Sequence, residues 1–443
     1  MKRYEADLSA LPVSGAVEQG LTEAQHARGH AAPGRPRTVW TASVRRASSP
    51  GVPTLATVYL LSALACCLRA AASSADFADV RVYRLGGQIA LHGGDLYRAQ
   101  YHRLLFTYPP FAAVVMAPLS LLPWLVAVSL MTAATVVALP VTLYLALRLP
   151  PAPSWLDRRD AGRLALAAAA AAIWLEPMRS ELGFGQIDLL LTAAILGDLM
   201  APSSARFKGA LIGIAAGIKL TPAIFIVYLL VTRRYKAAAT AAAAFAATVA
   251  IGFAVMPAAS VFYWDGTFLS PSRISSVQSG QNESLLGAIA RNAHSPDVTG
   301  VWLPVALVVA VSGLALAALA QRGGDEGLGF SLCALTGLLV SPISWTHHWV
   351  IAVPALLLAG VATYRYRGTR RRQATIASVA AITAAAIIGW SRIARYPGGH
   401  WLHAPPDRIA FSEVYVVAGL AGLLVAAAVL RHRARPREAS FSG

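Results

Sequence analysis

Lys219 stands inside the apolar run Gly213-Ile-Ala-Ala-Gly-Ile-Lys-Leu-Thr-Pro222. An ammonium at membrane depth is costly, so such residues usually serve a function. Gly209, Gly213 and Gly217 recur every four residues, a small face on which a second helix could lie close. Pro222 should break the helix just past the lysine and free carbonyls there. The plain alternative is a lysine that lays its stem on apolar surface and its head in water.

A second group is Ser341-Pro-Ile-Ser-Trp-Thr-His-His-Trp349. His347 and His348 could bind metal, but neighbours on an α-helix point about 100° apart, which suits chelation poorly. No Cys or carboxylate accompanies them locally, so no metal and no cofactor is expected. Donating hydrogen bonds or charge to a phosphate fits better. Anchoring at the membrane interface, with Trp345 and Trp349, is an equal reading.

Asp79 opens Asp79-Val-Arg-Val-Tyr83. A carboxylate near the bilayer surface could act as general base, its pKa raised by desolvation or lowered by Arg81 and Lys219. A solvated loop acid is the plain reading, and Asp76 and Asp95 compete for the role. Glu176, Arg179, Glu181, Gln186 and Asp188 form another polar island, followed by Gln278-Ser-Gly-Gln-Asn-Glu-Ser284. These could line a cavity for a polar ligand, or Asp188 and Ser284 could simply cap helices. No phosphate-binding glycine loop, dinucleotide fingerprint or zinc signature is present.

The elements that position these residues follow from composition. The chain has 443 residues, 56% hydrophobic and only 13% charged, with mean hydropathy +0.55. A soluble protein of this length needs about a quarter charged residues to cover its surface. A soluble enzyme, a disulfide scaffold and a disordered chain are excluded, leaving an all-α polytopic membrane protein. The net charge of +17 suits cytoplasmic loops and tails rather than nucleic acid. Cys66, Cys67 and Cys333 lie in apolar runs with neither metal nor disulfide spacing.

Apolar runs at 54–72, 124–148, 163–175, 187–201, 237–256, 301–320, 328–343, 348–364, 374–390 and 412–430 are candidate spans. The less regular stretches 109–122 and 209–232 bring the total to about eleven to thirteen. Residues 1–50 are read as a flexible cytoplasmic tail and 431–443 as a second one, with one transmembrane unit over 51–430. Basic loops orient the second half, placing 257–300, the turn near 344–348 and 391–411 outside. The loop 73–108 is also external, and Val82, Leu85 and Ile89 predict a short amphipathic helix within it. Between 109 and 236, parity and charge agree only if a segment is broken or re-entrant.

In chain order, Asp79-Val-Arg-Val-Tyr83, Gly86-Gly87, Gly93-Gly-Asp-Leu-Tyr97 and Phe106-Thr-Tyr-Pro-Pro110 resemble the opening of family 87 of the GT-C glycosyltransferases. Phe184-Gly-Gln-Ile-Asp188, Gly217-Ile-Lys-Leu-Thr-Pro222, Gln281-Asn-Glu-Ser-Leu285 and the His347-His348 string follow in the family's order. Glu283 departs from the glutamine expected there. The resemblance covers about residues 54–430.

The resemblance implies a GT-C bundle that takes mannose from a polyprenyl-phosphate-mannose donor, as enzymes of mycobacteria and their relatives do. The acceptor would be a mannosylated glycolipid: a phosphatidylinositol mannoside, lipomannan or lipoarabinomannan. An α-1,2 linkage would form on the outer face of the plasma membrane, with membrane lipids as surroundings. The family's acid matches Asp79 and its essential histidine the His347-His348 pair. Inversion needs one base for the incoming hydroxyl, for which Asp79 is the candidate. Lys219 and one histidine would meet the leaving phosphate. Tyr83, Tyr108, Gln186 and Asn282 would shape the sugar pockets. Transfer of another polyprenyl-phosphate sugar, such as arabinose, and a lipid-linked sugar flippase are the alternatives.

Overall fold

The computed structural model describes residues 51–72, 76–365 (except 103, 154–155, 271–272 and 274–275), 370, 374, 378, 409 and 412–434. The tail at 1–50 lies outside them, as do nearly all of the span expected at 374–390 and the loop at 391–411. The described chain is helical, apart from a two-stranded antiparallel hairpin that pairs Gln100 with Leu105 and Tyr101 with Leu104.

Six apolar segments are long enough to cross a membrane: α1 (Val52–Ala72), α4 (Trp124–Arg148), α10 (Tyr235–Val255), α13 (Thr299–Arg322), Thr346–Thr363, and α16 (Val414–Ala434), whose qualifying stretch is Val414–Arg431. Thr346–Thr363 begins as a 3-10 turn, Thr346–Ala352, and continues as α15 (Val353–Arg365). Several leucines and valines on α1 and α13, among them Leu61 and Leu307, are more than half exposed, as lipid-facing residues are.

Several runs counted in the expected total are helices too short to span alone. They are α3 (Pro110–Leu121), α5 (Arg158–Ala172), α8 (Ala210–Ile218), α9 (Ile224–Val231) and α14 (Glu326–Val340). Local chemistry ends most of them. Pro123 precedes α4, and α8 stops at the extended backbone of Lys219, just before a 3-10 turn, Thr221–Ala223, that contains Pro222.

The break that parity required is α6 (Glu176–Phe184) and α7 (Asp188–Met200), which together qualify as one span but bend by 113°. Gly185 closes α6 in the left-handed region at φ 70°, where glycine carries no Cβ penalty. The freed backbone is satisfied locally: the Gln186 amide donates to the Glu181 carbonyl, and the Leu189 amide to Glu181 Oε1, 2.9 Å away.

The expected amphipathic helix is α2 (Ala78–His92), packed along α3. Val82 and Ile89 are buried as the pattern requires, but α2 also buries a second face carrying Tyr83, Gly86 and Gly87. A Cβ on Gly86 would run into the Phe106 ring, and one on Gly87 into the Met116 carbonyl. The long stretch 257–300 holds α11 (Pro257–Trp264) and α12 (Leu285–Asn292), so it is not a plain loop.

Candidate active site

Asp79 lies in the first turn of α2, one turn before Tyr83 and on the same side. Its residue surface is only partly covered, yet atoms crowd the carboxyl itself. Burial, acting more strongly than anything else, pushes its pKa up to about 6. The nearby Lys219 ammonium and hydrogen bonds from Gln186 and Tyr108 oppose that rise, while Asp188 adds to it. Asp76 and Asp95, its competitors, sit at exposed ion pairs with Arg81 and Arg98.

Tyr83 and Tyr108 frame the carboxyl. The Tyr83 hydroxyl donates to Gln186 Oε1 at 2.8 Å and lies 3.3 Å from the Tyr108 hydroxyl. Burial first, then Tyr108 and the neighbouring acids for Tyr83 and Asp79 for Tyr108, hold both phenols well above their ordinary pKa, so both stay protonated donors. Gln186 is buried at the break between α6 and α7 and serves both Tyr83 and Asp79. Four of the residues assigned from sequence therefore meet in one place.

Lys219 follows the last turn of α8, where the glycine stripe fits α8 against α10. A Cβ on Gly213 would collide with the Ala241 carbonyl, and one on Gly217 with Thr248. The ammonium is 2.7 Å from Asp188 Oδ2, with side chains 8% and 10% exposed, and 5.6 Å from the centre of the Tyr108 ring. Snorkelling to water is therefore not what this lysine does. Asp188, the first residue of α7, spends its carboxylate on Lys219 and makes no side-chain cap. Ser284 does cap, accepting from the Gly287 amide.

His347 and His348 lie on the 3-10 turn, which packs against α6 and α7. Their rings meet nearly at right angles, with centroids 4.7 Å apart, and His347 also meets Phe184 edge to face. Ring nitrogens of the pair and a carboxylate oxygen of Asp188 all lie within 4.8 Å of one another. From this corner a narrow, mostly apolar cleft extends between Thr221, Phe225, Leu338 and Ile351, with Asp188, Ser344 and His348 among its polar lining.

Asn282 stands apart. Its amide nitrogen donates to the Val277 and Pro342 carbonyls, and its oxygen accepts from the Ser344 amide. It clamps two loops together and has little left for a sugar. Glu181, one of the polar island at 176–188 but not among the site residues assigned from sequence, takes a central place. It is fully buried, caps the start of α7, and interacts electrostatically with Asp188, Lys219 and Asp79. Its signal was an acid four residues before a glycine, next to the polar string at 184–188.

A family model described as glycosyltransferase family 87 matches residues 106–342. A Mycobacterium tuberculosis protein named polyprenol-phosphate-mannose-dependent alpha-(1-2)-phosphatidylinositol mannoside mannosyltransferase is 31% identical over 382 residues, or 82% of this chain and 88% of that one. A second protein of that species, named for a pentamannoside acceptor, is 37% identical over 330 residues, 71% of this chain and 75% of its own. The Mycolicibacterium smegmatis protein with the first of these names is 35% identical over 328 residues, 68% of this chain and 74% of its own. Among solved structures, ArnT from Cupriavidus metallidurans with undecaprenyl phosphate overlaps 85% of this chain and 76% of its own at TM-score 0.41 and 15% identity, too slight a likeness to bear on function.

Proposed function

The chain belongs to glycosyltransferase family 87, and from that premise we propose that it moves mannose from a polyprenyl-phosphate-mannose donor to a phosphatidylinositol mannoside or related envelope glycolipid, forming an α-1,2 linkage. The observation that carries this reading is the convergence of the Asp79 carboxyl, pushed up to about 6 by burial, and the buried Lys219 beside the paired hydroxyls of Tyr83 and Tyr108.

In this reading Asp79 takes the proton of the attacking hydroxyl, whose oxygen bonds to the anomeric carbon. The bond from that carbon to phosphate breaks, and polyprenyl phosphate leaves with the electron pair. A base is most effective with a pKa near working pH, and about 6 leaves Asp79 mostly ionised at neutrality. Lys219 and the histidine corner face the leaving phosphate, which gains a second negative charge as the bond breaks. Tyr83, Tyr108 and Gln186 hold the base and border the sugar. The isoprenoid tail runs along the apolar cleft beside Phe225. Residues 51–430 act as one catalytic unit in the plasma membrane, with the site on the external face and the tails at 1–50 and 431–443 inside.

The test is transfer of radiolabel from polyprenyl-phosphate mannose into glycolipid, in membranes carrying the wild type or Asp79→Asn. Label with the wild type alone supports both the reaction and the base. Transfer by both keeps the reaction and removes Asp79 as base. Transfer by neither, across a panel of acceptors, sinks the reading in favour of another sugar donor or a flippase.

A further inference from the structure

The histidine corner holds more than two hydrogen-bond donors need. His347 is 6% exposed, and neither of its ring nitrogens has a hydrogen-bond partner; Nδ1 of His348 is also buried and unpaired. Leaving buried polar atoms unpaired is expensive. The sequence made chelation look poor, because α-helical neighbours diverge and no carboxylate is adjacent. In the fold the backbone of the 3-10 turn still sends neighbours apart, yet the side chains bring the two rings together, centroids 4.7 Å apart, and α7 brings the Asp188 carboxylate to them. Two imidazoles and one carboxylate with ligand atoms within 4.8 Å form a set that divalent transition ions favour.

We propose that Asp188, His347 and His348 bind one divalent cation of the Zn²⁺ type, taken up together with a phosphate monoester. The coupling follows from charge. Asp188 and Lys219 already neutralise each other at 2.7 Å, so a divalent ion alone would leave the corner with two uncompensated positive charges beside an ammonium. A phosphate dianion cancels both. Three protein ligands leave a coordination position open, and a phosphate oxygen fills it. This rests on the leaving phosphate lying at this corner. The donor's phosphate is a diester with one charge and the departing monoester carries two, so the cation favours the separated state over the ground state.

The test uses full-length protein in detergent, stripped with a chelator and titrated with Co²⁺ and Zn²⁺, with and without undecaprenyl phosphate. Bound metal is counted by mass spectrometry, and Co²⁺ geometry is read from its visible absorption. One ion per chain with the lipid phosphate, weaker binding without it, and affinity lowered at least about tenfold in His347→Gln is the expected result. Thermal melting shows whether His347→Gln is folded, and the wild-type Co²⁺ spectrum stands without any variant. Equal binding by wild type and a folded His347→Gln, or no ion retained with the lipid phosphate present, overturns the site. Histidine-dependent binding without sugar transfer would leave the site and sink the transferase reading. Transfer by metal-free protein that retains no ion would do the reverse.

Discussion

Lys219 Nζ and Asp188 Oδ2 are 2.7 Å apart, one charge following the end of α8 and the other opening α7 at the 113° break. A buried pair of this kind adds little stability over an apolar pair, but stranding one partner costs about 3–5 kcal/mol. Lys219→Met should therefore lower the melting temperature as well as abolish transfer. Adding Asp188→Asn should restore much of the stability and none of the transfer. Activity returning with stability in the double variant would make the pair merely structural.

Asp79→Asn should cut transfer by about 10²- to 10⁴-fold with the fold intact, the range a positioned general base contributes. Its pKa of about 6 also predicts a pH profile. A base must be ionised to accept a proton, so kcat/KM should fall as pH drops through about 6 and level off above it. A rate independent of pH between 5 and 8 would argue against Asp79 as the base.

Gly213→Ala should push α8 off α10, because the new methyl meets the Ala241 carbonyl, and backbone cannot swing aside. The variant should lose both transfer and melting temperature, since Lys219 rides on α8. Gly162→Ala is the control: nothing lies within 4 Å of a Cβ there, and the helix should gain about 0.5–1 kcal/mol. Equal effects at the two positions would refute the packing argument.

Glu283 is fully buried, with no hydrogen-bond partner on either carboxyl oxygen. Burial above all, against the pull of Arg291, holds its pKa well above the usual carboxylate range, so it is carried as a neutral acid. Glu283→Gln should be within about 1 kcal/mol of wild type, as volume-conserving swaps usually are. Arg291→Met, which strands Glu413 at the other end of a 2.9 Å pair, should cost about 3–5 kcal/mol. Melting curves of the two variants decide it.

The parts visible in the sequence were those written into local pattern. Hydropathy located the long spans, the 3.6-residue spacing found α2, and conflicting charge and parity exposed the 113° break. The four-residue glycine stripe showed where α8 would be approached, though not that α10 does so. What stayed hidden was pairing across the chain. Lys219 finding Asp188, the His pair meeting that same acid, and Arg291 finding Glu413 each need the tertiary fold. The crowding around Asp79 was hidden for the same reason: read alone, a charged residue in a loop segment is most simply solvated, and only the second buried face of its helix encloses the carboxyl. Asn282 sat in a recognisable string, but its amide is committed to backbone on two loops.

Gly185 does more than let one span turn. A Cβ there would strike Val80, the residue after Asp79, while the Phe77 amide reaches back to the Gly183 carbonyl. The bend and the position of Asp79 are thus set by a single gap the width of a methyl group. Position 185 is constrained twice, by its left-handed backbone and by its neighbour. A side chain there would be paid for in both places at once, so among random substitutions this site should tolerate almost nothing, even though it carries no chemistry of its own.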